Sequence, residues 1–163
     1  KEYAESFLDE HKKKPKDREI LHRLSQEIRN RRPDWDFGCG PGPALAAMLE
    51  EAGHHVTLYD PYYQPDASAL VSDYDFICAT EVVEHLHRPG EELARLWQLL
   101  VPGGVLGIMT KLVTDRAAFA GWHYKNDITH VCFFSRRTWA WWADAQGARL
   151  EILGADVILL GQP

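Results

Sequence analysis

The sequence has 163 residues, with 18 Lys or Arg against 24 Asp or Glu, for a formal net charge of −6 at pH 7. This length predicts one domain, and the acidic balance argues against a nucleic-acid partner, whose phosphates are gripped by many Lys and Arg side chains. Three widely spaced cysteines exclude a disulfide scaffold and predict a reducing compartment, the cytoplasm, while no apolar run is long enough to span a membrane.

The chain is expected to begin with a helical segment, residues 1–33, that packs on a main domain formed by residues 34–163. Apolar residues at helical spacing between 17 and 31 predict an amphipathic helix, and Pro33 ends it.

Short apolar runs then alternate with helical patterns, which is typical of an α/β sheet. Strands are predicted at 35–37, 55–59, 74–79 and 105–109, and helices at 44–52, 91–100 and 135–145. Two closing runs, 149–153 and 157–160, predict an antiparallel edge because the connection between them is short.

A glycine-rich loop follows the first predicted strand. Gly38, Gly40 and Gly42 place backbone N–H groups and a helix N-terminus beside a ligand, with no side chain to hold it away. Asp60 ends the next strand, where its carboxylate can accept hydrogen bonds from both hydroxyls of a ribose. A tight structural turn and a solvated loop acid are the alternatives. The third glycine comes one residue too early for dinucleotide spacing, which argues against a dehydrogenase.

Acidic and imidazole side chains are concentrated after the strand at 74–79. Residues 80–87 contain two glutamates and two histidines at the carboxyl end of a central strand, where α/β sheets place their chemistry. If this stretch turns helically, Glu81, Glu84 and His85 share one face. Carboxylates that converge on one point repel each other unless a cation or a proton lies between them.

Five ordered motifs resemble those of class I S-adenosylmethionine-dependent methyltransferases, of the type 11, 12 and 23 groups. They are DFGCGPG at 36–42, Asp60, YDFI at 74–77, EHL at 84–86 and LVPGGVL at 100–106. The resemblance implies an α/β fold with a doubly wound, Rossmann-like sheet, mostly parallel with an antiparallel last strand and helices on both faces. The third-strand region is shortened here, since only Ala69-Leu70-Val71 remains of it.

The resemblance also implies roles for the matching residues, with S-adenosylmethionine as the cofactor. The glycine loop would hold its methionyl part and the acid after the second strand its ribose, with Asp66 and Ser68 near the adenine. The cofactor residues by position are Asp36, Gly38, Cys39, Gly40, Asp60, Pro61, Thr80 and Glu81.

The Glu-x-x-Glu-His spacing is similar to the divalent-metal site of the ubiquinone-biosynthesis O-methyltransferases and the plant small-RNA 2′-O-methyltransferases. By position, Glu81, Glu84 and His85 would bind Mg²⁺, Mn²⁺ or Zn²⁺, with His130 as the fourth ligand and His123 in reserve. A hydroxyl bound there would lose its proton beside the methyl sulfonium. The alternative is a metal-free site in which His85 or His130 is the general base. The predicted catalytic residues are His85, His130 and Glu84.

The segment 122–134 also permits structural interpretations. Asp127 and Thr129 can form a loop turn that leaves His130 a structural donor. Four aromatic side chains either wall a substrate pocket or pack in the core: Trp122, Tyr124, Phe133 and Phe134. Trp139 and Trp142 lie on one helical face and are predicted to be core.

The sequence therefore predicts methyl transfer from S-adenosylmethionine to a small-molecule substrate, with a hydroxyl oxygen as the acceptor. An RNA 2′-O-methyltransferase and a non-catalytic cofactor-binding subunit are the alternatives.

Overall fold

The computed structural model describes residues 34–163, so the predicted N-terminal segment 1–33 and its helix lie outside the described residues. The strands are β1 Asp34–Phe37, β2 Val56–Tyr59, β3 Tyr74–Thr80, β4 Leu100–Met109, β5 Leu112–Val113, β6 Phe134–Ser135, β7 Arg149–Leu153 and β8 Val157–Gly161. The α-helices are α1 Ala44–Glu51, α2 Pro89–Gln98, α3 Arg116–Ala120 and α4 Arg136–Gln146.

Six strands form one sheet in the order β2-β1-β3-β4-β8-β7. The first four are parallel, and β8 runs antiparallel to both β4 and β7. This confirms the predicted mostly parallel sheet with an antiparallel last strand. However, β8 lies between β4 and β7 instead of at the edge, which explains why all of Val157–Gly161 is buried.

Helices cover both faces of the sheet, as predicted. Successive side chains of a strand point to opposite faces, so Phe76 and Cys78 of β3 pack with Leu49 of α1 on one side. Ile77 and Ala79 belong to the core of the other side, which contains buried side chains of α2 and α4, namely Leu93, Leu96, Trp97, Trp139, Trp142 and Ala143. The prediction that Trp139 and Trp142 are core residues is therefore confirmed.

Two regions of the sheet depart from the ordinary pattern. Between β2 and β3 the chain forms an isolated bridge, from Asp60 to Gln64, and a 3-10 helix, Ala67–Val71, but no further strand. Consequently β2 is an edge strand, and the shortened third-strand region is confirmed. The strand β4 begins at Leu100, earlier than the predicted 105. Tyr74 pairs with Leu100 but Phe76 pairs with Val105, so a bulge accommodates the Pro-Gly-Gly stretch that appeared to end the preceding helix.

The segment between β4 and α4 contains short elements that the sequence patterns did not reveal. β5 and β6 pair in parallel as a separate two-stranded sheet, and α3 and a 3-10 helix, His123–Asn126, lie between them. Elements of two to five residues are too short to show a hydrophobic period, which is why they escaped prediction. None of the helices formed by residues 34–163 combines the length and apolar character that a membrane crossing requires.

Candidate functional site

The glycine loop leaves the carboxyl end of β1, leads into α1 and is hydrogen-bonded to the carboxyl end of β2. Parallel α/β sheets bind their ligands at this end of their strands. The backbone N–H groups of Gly38 and Cys39 both donate to the carbonyl of Tyr59, at 2.7 and 3.2 Å. The N–H of Gly40 donates to Asp60 Oδ2 at 3.1 Å. The predicted loop and the predicted ribose acid are thus parts of one hydrogen-bonded unit.

Asp60 is buried, and backbone donors surround its carboxylate. Its Oδ1 accepts the N–H groups of Tyr62 and Tyr63 at 2.8 and 3.1 Å. Each carboxylate oxygen has two lone pairs, so Oδ2, with Gly40 as its one partner here, keeps a lone pair for a ligand. Pro61 beside it is exposed.

Gly38 brings the glycine loop into contact with the acidic turn after β3. Its φ of +76° is in the left-handed region, and a Cβ at this position would lie 2.5 Å from Val82 Cγ2. Only glycine satisfies both the backbone conformation and the close approach. The loop and the turn that carries Glu81 and Glu84 therefore hold each other in place.

We expect Gly38→Ala to destabilise the protein by about 1–3 kcal/mol, because the new methyl group overpacks against Val82 and a positive φ is strained for alanine. Gly90→Ala is the matched control. Gly90 lies in α2, where a Cβ meets nothing within 4 Å, and alanine there should stabilise by about 0.5–1 kcal/mol. Urea unfolding of the two variants measures both effects. Equal effects of the two substitutions would contradict the role assigned to the Val82 contact.

Asp36 and Cys39 lie close to the glycine loop but are buried. Asp36 is 2% exposed and accepts a hydrogen bond from Cys78 Sγ at 3.6 Å. Burial raises the pKa of Asp36 to about 6. Burial, followed by the carboxylates of Asp36 and Asp60, raises the pKa of Cys39 to about 11, so its thiol is a poor nucleophile. The side chain of Asp36 therefore supports the loop from within the fold.

The raised pKa of Asp36 makes a prediction about stability and pH. Because the folded-state pKa, about 6, lies above the ordinary 3.8, the folded protein binds more protons between these values and loses stability as pH rises through about 4–6. Asp36→Asn should remove that loss and be more stable than wild type at pH 7 by up to about 3 kcal/mol. Urea unfolding of both proteins at pH 4 and pH 7 measures it, and a stability difference that does not change with pH is the contrary result.

The turn after β3 presents the predicted carboxylates in different ways. Thr80, half-buried, ends the strand opposite Met109, whose carbonyl accepts the N–H of Glu81 at 2.8 Å. Glu81 then adopts a φ of +53°, a strained conformation for a residue with a side chain. Glu84 and His85 follow in a 3-10 turn. The predicted helical face shared by all three residues does not form.

Glu84 is fully buried between the turn and the segment 122–134. Its Oε1 accepts the hydroxyl of Tyr124, while its Oε2 has no hydrogen-bond partner within residues 34–163. A buried oxygen without a partner costs about 1–3 kcal/mol, and more when charged. The backbone carbonyl of Glu84 accepts the N–H groups of Val131 and Cys132 at 2.8 and 3.1 Å, which fixes the later segment against the turn.

Two histidines lie beside Glu84 with their Nδ1 atoms bound to backbone carbonyls. His85 Nδ1 is 3.1 Å from the carbonyl of Thr129, and His130 Nδ1 is 2.7 Å from that of Tyr124. A carbonyl can only accept, so Nδ1 carries the proton in each ring and a neutral ring keeps its lone pair on Nε2. One ligand atom each from Glu84, His85 and His130 lie within 4.8 Å of one another.

The other two candidate ligands lie elsewhere. Glu81 is outside this group, and its Oε2 lies 3.2 Å from the Tyr124 hydroxyl, whose single proton goes to Glu84. Partial removal from water and the neighbouring Glu84 raise the pKa of Glu81. His123 Nε2 instead lies 3.1 Å from Lys111 Nζ. The structure thus brings His130, not His123, to the cluster.

The segment around His130 combines structural and site-forming parts. Asp127 Oδ1 accepts the Thr129 N–H at 2.9 Å and its hydroxyl at 2.6 Å, which is the predicted loop turn. That turn presents the Thr129 carbonyl to His85, so it also serves the cluster. Phe134 is a core residue stacked on Trp139, whereas half-buried rings form a separate aromatic cluster, namely Phe119, Trp122 and Phe133.

Sequence reasoning missed the polar role of Tyr124 and the part played by Thr110. The Tyr124 hydroxyl contacts both glutamates and lies 3.4 Å from Thr110 Oγ1. The sequence predicts Tyr124 as either a pocket wall or a core residue, because a tyrosine between other aromatic residues gives no sign of where its hydroxyl points. The histidines at 123 and 130, close to Tyr124 in the sequence, were the available sign that this tyrosine lies in a polar site.

Comparisons with known proteins place this geometry in context. A family whose description is "Methyltransferase domain" matches residues 8–152. A SAM-dependent methyltransferase from Archaeoglobus fulgidus is 17% identical, with a TM-score of 0.67 over 96% of this chain and 99% of that one. No curated protein matches the sequence.

Two larger proteins share the same fold. An O-methyltransferase family protein from Burkholderia thailandensis is 17% identical, with a TM-score of 0.60 over 90% of this chain and 57% of that one. Human N-acetylserotonin methyltransferase, solved in complex with SAM, is 14% identical, with a TM-score of 0.67 over 98% of this chain and 55% of that one. The chain therefore spans just over half the length of these two relatives.

Proposed function

This chain belongs to the S-adenosylmethionine-dependent methyltransferases of class I, and on that premise we propose that it methylates a hydroxyl oxygen of a small-molecule acceptor. The observation that carries the choice of oxygen is the cluster of Glu84, His85 and His130 at the carboxyl end of the sheet. A hydroxyl is a weak nucleophile until its proton is removed, and this cluster supplies bases at the edge where the cofactor binds.

The residues we assign to the cofactor line the adjoining loops. The backbone of Gly38, Cys39 and Gly40, with no side chain on the two glycines, would let the methionyl part of S-adenosylmethionine approach closely. The remaining lone pair of Asp60 Oδ2 would accept a ribose hydroxyl. Pro61, Thr80 and Glu81 complete the rim, and the carboxylate of Glu81, when ionised, would suit a cationic sulfonium cofactor. Asp36 is buried and would not touch the cofactor; it would support the glycine loop that does.

The residues of the cluster also fit a divalent cation. Glu84 Oε2 lacks a partner within the described chain, and the Nδ1 bonds of His85 and His130 are the arrangement that orients metal-binding imidazoles. Glu84, His85 and His130 would hold Mg²⁺, Mn²⁺ or Zn²⁺, whereas Glu81, the fourth residue predicted for this site, lies outside their group. Such a cation lowers the pKa of a bound hydroxyl. Without it, Nε2 of His85 or His130 would take the acceptor proton directly.

The aromatic cluster supports a small, largely apolar acceptor. Phe119, Trp122 and Phe133 pack with ring centroids 5.3–6.0 Å apart and remain half-buried beside the site. Small-molecule sites are lined mainly by apolar and aromatic side chains with a few convergent polar groups. A hydroxylated aromatic compound matches both the rings and the bases, whereas the net charge of −6 disfavours RNA.

The test is methyl transfer from radiolabelled S-adenosylmethionine to three kinds of acceptor: hydroxylated aromatic compounds, aromatic amines and short RNA. We expect product only from the hydroxyl compounds. Transfer to amines or RNA alone would overturn the choice of acceptor, and cofactor binding without any transfer would favour a non-catalytic subunit. Repeating the assay with a chelator, then with added Mn²⁺, separates the metal from the histidine base.

A further inference from the structure

We propose that Tyr124 is the positioning residue of this site, holding Glu84 and His130 so that their remaining ligand atoms face, together with His85, one divalent cation. The inference rests on the proposed function, in particular on the assignment of Glu84, His85 and His130 as cation ligands. Tyr124 itself would touch neither the cation nor the reacting atoms.

The hydroxyl of Tyr124 selects which oxygen of Glu84 is free. It donates to Glu84 Oε1 and lies 3.2 Å from Glu81 Oε2. Thr110 Oγ1, 3.4 Å away, is placed to donate to the phenol oxygen while the phenol proton goes to a carboxylate. Because Oε1 is occupied in this way, the partnerless Oε2 is the atom that Glu84 presents to a cation.

The backbone and ring of Tyr124 fix the second ligand. Its carbonyl accepts His130 Nδ1 at 2.7 Å, and the two rings lie 4.1 Å apart between centroids. The ring of His130 is in turn 4.7 Å from that of His85. One residue therefore sets the rotamer of Glu84 and both the tautomer and the orientation of His130.

A tyrosine suits this position better than another donor. Its single proton lies between two carboxylates that would otherwise repel each other. The phenol carries one O–H donor, and an ionised carboxylate can only accept, so the proton is shared in that direction. Lys111 Nζ lies 5.1 Å over the face of the ring, a cation–π contact that helps to hold the ring in place.

Packing is the competing explanation for a tyrosine here, since Tyr124 is only 6% exposed and contacts Trp122 and Phe133. Tyr124→Phe separates the two roles because it keeps the ring and the carbonyl and removes only the hydroxyl. Tyr74→Phe is the matched control. Tyr74 is also buried, and its hydroxyl donates to the carbonyl of Ala69 at 3.0 Å. It lies at the amino end of β3, whereas the cluster follows the carboxyl end of that strand.

The experiment measures binding of Mn²⁺ by calorimetry and the visible absorption of bound Co²⁺ in wild type and both variants. We expect Tyr124→Phe to weaken Mn²⁺ binding by about 10- to 100-fold, as losses of outer hydrogen bonds to metal ligands do, and to change the Co²⁺ spectrum. Tyr74→Phe should bind both ions as wild type does. Thermal unfolding and calorimetric titration with S-adenosylmethionine show that each variant is folded.

Two results would overturn the inference. One is a Tyr124→Phe variant that binds Mn²⁺ as tightly as wild type; the other is a wild-type protein with no saturable cation binding. The second leaves methyl transfer itself standing, because cofactor binding and transfer are measured separately in chelator-treated protein. If Tyr124→Phe does not fold, Thr110→Val deletes the hydroxyl that bonds the phenol, and unchanged Mn²⁺ affinity in that variant also overturns the inference.

Discussion

Glu84→Gln is expected to lower the turnover of methyl transfer by about 10²- to 10⁴-fold, the range of a lost acid–base group, while binding of S-adenosylmethionine changes little. Glutamine keeps the shape of the side chain and can still accept the Tyr124 hydroxyl. It removes the negative charge beside His85 and His130, which stabilises either a bound cation or a protonated imidazole. Glu84 is fully buried, so water does not replace that charge.

Initial rates with a hydroxylated aromatic acceptor that the transfer assay yields measure the loss, and calorimetry measures the affinity for S-adenosylmethionine. Glu91→Gln is the matched control, since Glu91 is an exposed residue of α2 whose contact with Arg88 at 3.3 Å is a surface ion pair. Surface ion pairs contribute little to the free energy of unfolding, so the turnover of Glu91→Gln should match that of wild type. Wild-type turnover in Glu84→Gln would contradict the assignment, as would loss of cofactor binding together with turnover.

Asp60→Asn is expected to weaken binding of S-adenosylmethionine by at least about 100-fold, which corresponds to about 2.7 kcal/mol. The carboxylate of Asp60 accepts three backbone N–H groups, from Gly40, Tyr62 and Tyr63. The amide of asparagine must turn its NH₂ group toward some of these donors, which leaves them without an acceptor. The glycine loop loses the hydrogen bond between Gly40 and Asp60, and the ribose loses a charged acceptor.

Calorimetric titration with S-adenosylmethionine measures this loss, and thermal unfolding shows that the variant is folded. Asp115→Asn is the control, because Asp115 also accepts a backbone N–H, that of Ala118 at 2.8 Å, but at the start of α3. We expect its cofactor affinity to equal that of wild type. A loss smaller than about tenfold in Asp60→Asn would mean that the carboxylate does not hold the ribose.

The fold was predictable where the information is local. Residues 76–79 of β3 form an unbroken apolar stretch, and the capping serine and terminal glycine of α4 mark a helix whose observed bounds, Arg136–Gln146, nearly match the predicted 135–145. The start of β4 was not predictable, because Pro102-Gly103-Gly104 normally ends an element and only pairing with β3 allows a bulge there.

The cluster shows the limit of local patterns. The i, i+3, i+4 spacing predicted one helical face for Glu81, Glu84 and His85, but the hydrogen bond from Glu81 to Met109 and the φ of +53° break that face. Tertiary contacts overrode the local period, since the turn must pack Val82 against Gly38.

The sequence by itself determined the class of sheet, the glycine loop and the acid that follows the second strand. These features depend on strands and turns formed by residues close together in the chain, so the spacing of the residues in the sequence is enough to predict them. The tertiary structure decided that His130 joins Glu84, that the Tyr124 hydroxyl lies between both glutamates and that Nδ1 of each imidazole is bonded to a backbone carbonyl. Glu84 and Tyr124 are 40 residues apart in the chain, and only the packing of the segment 122–134 over the turn brings them together.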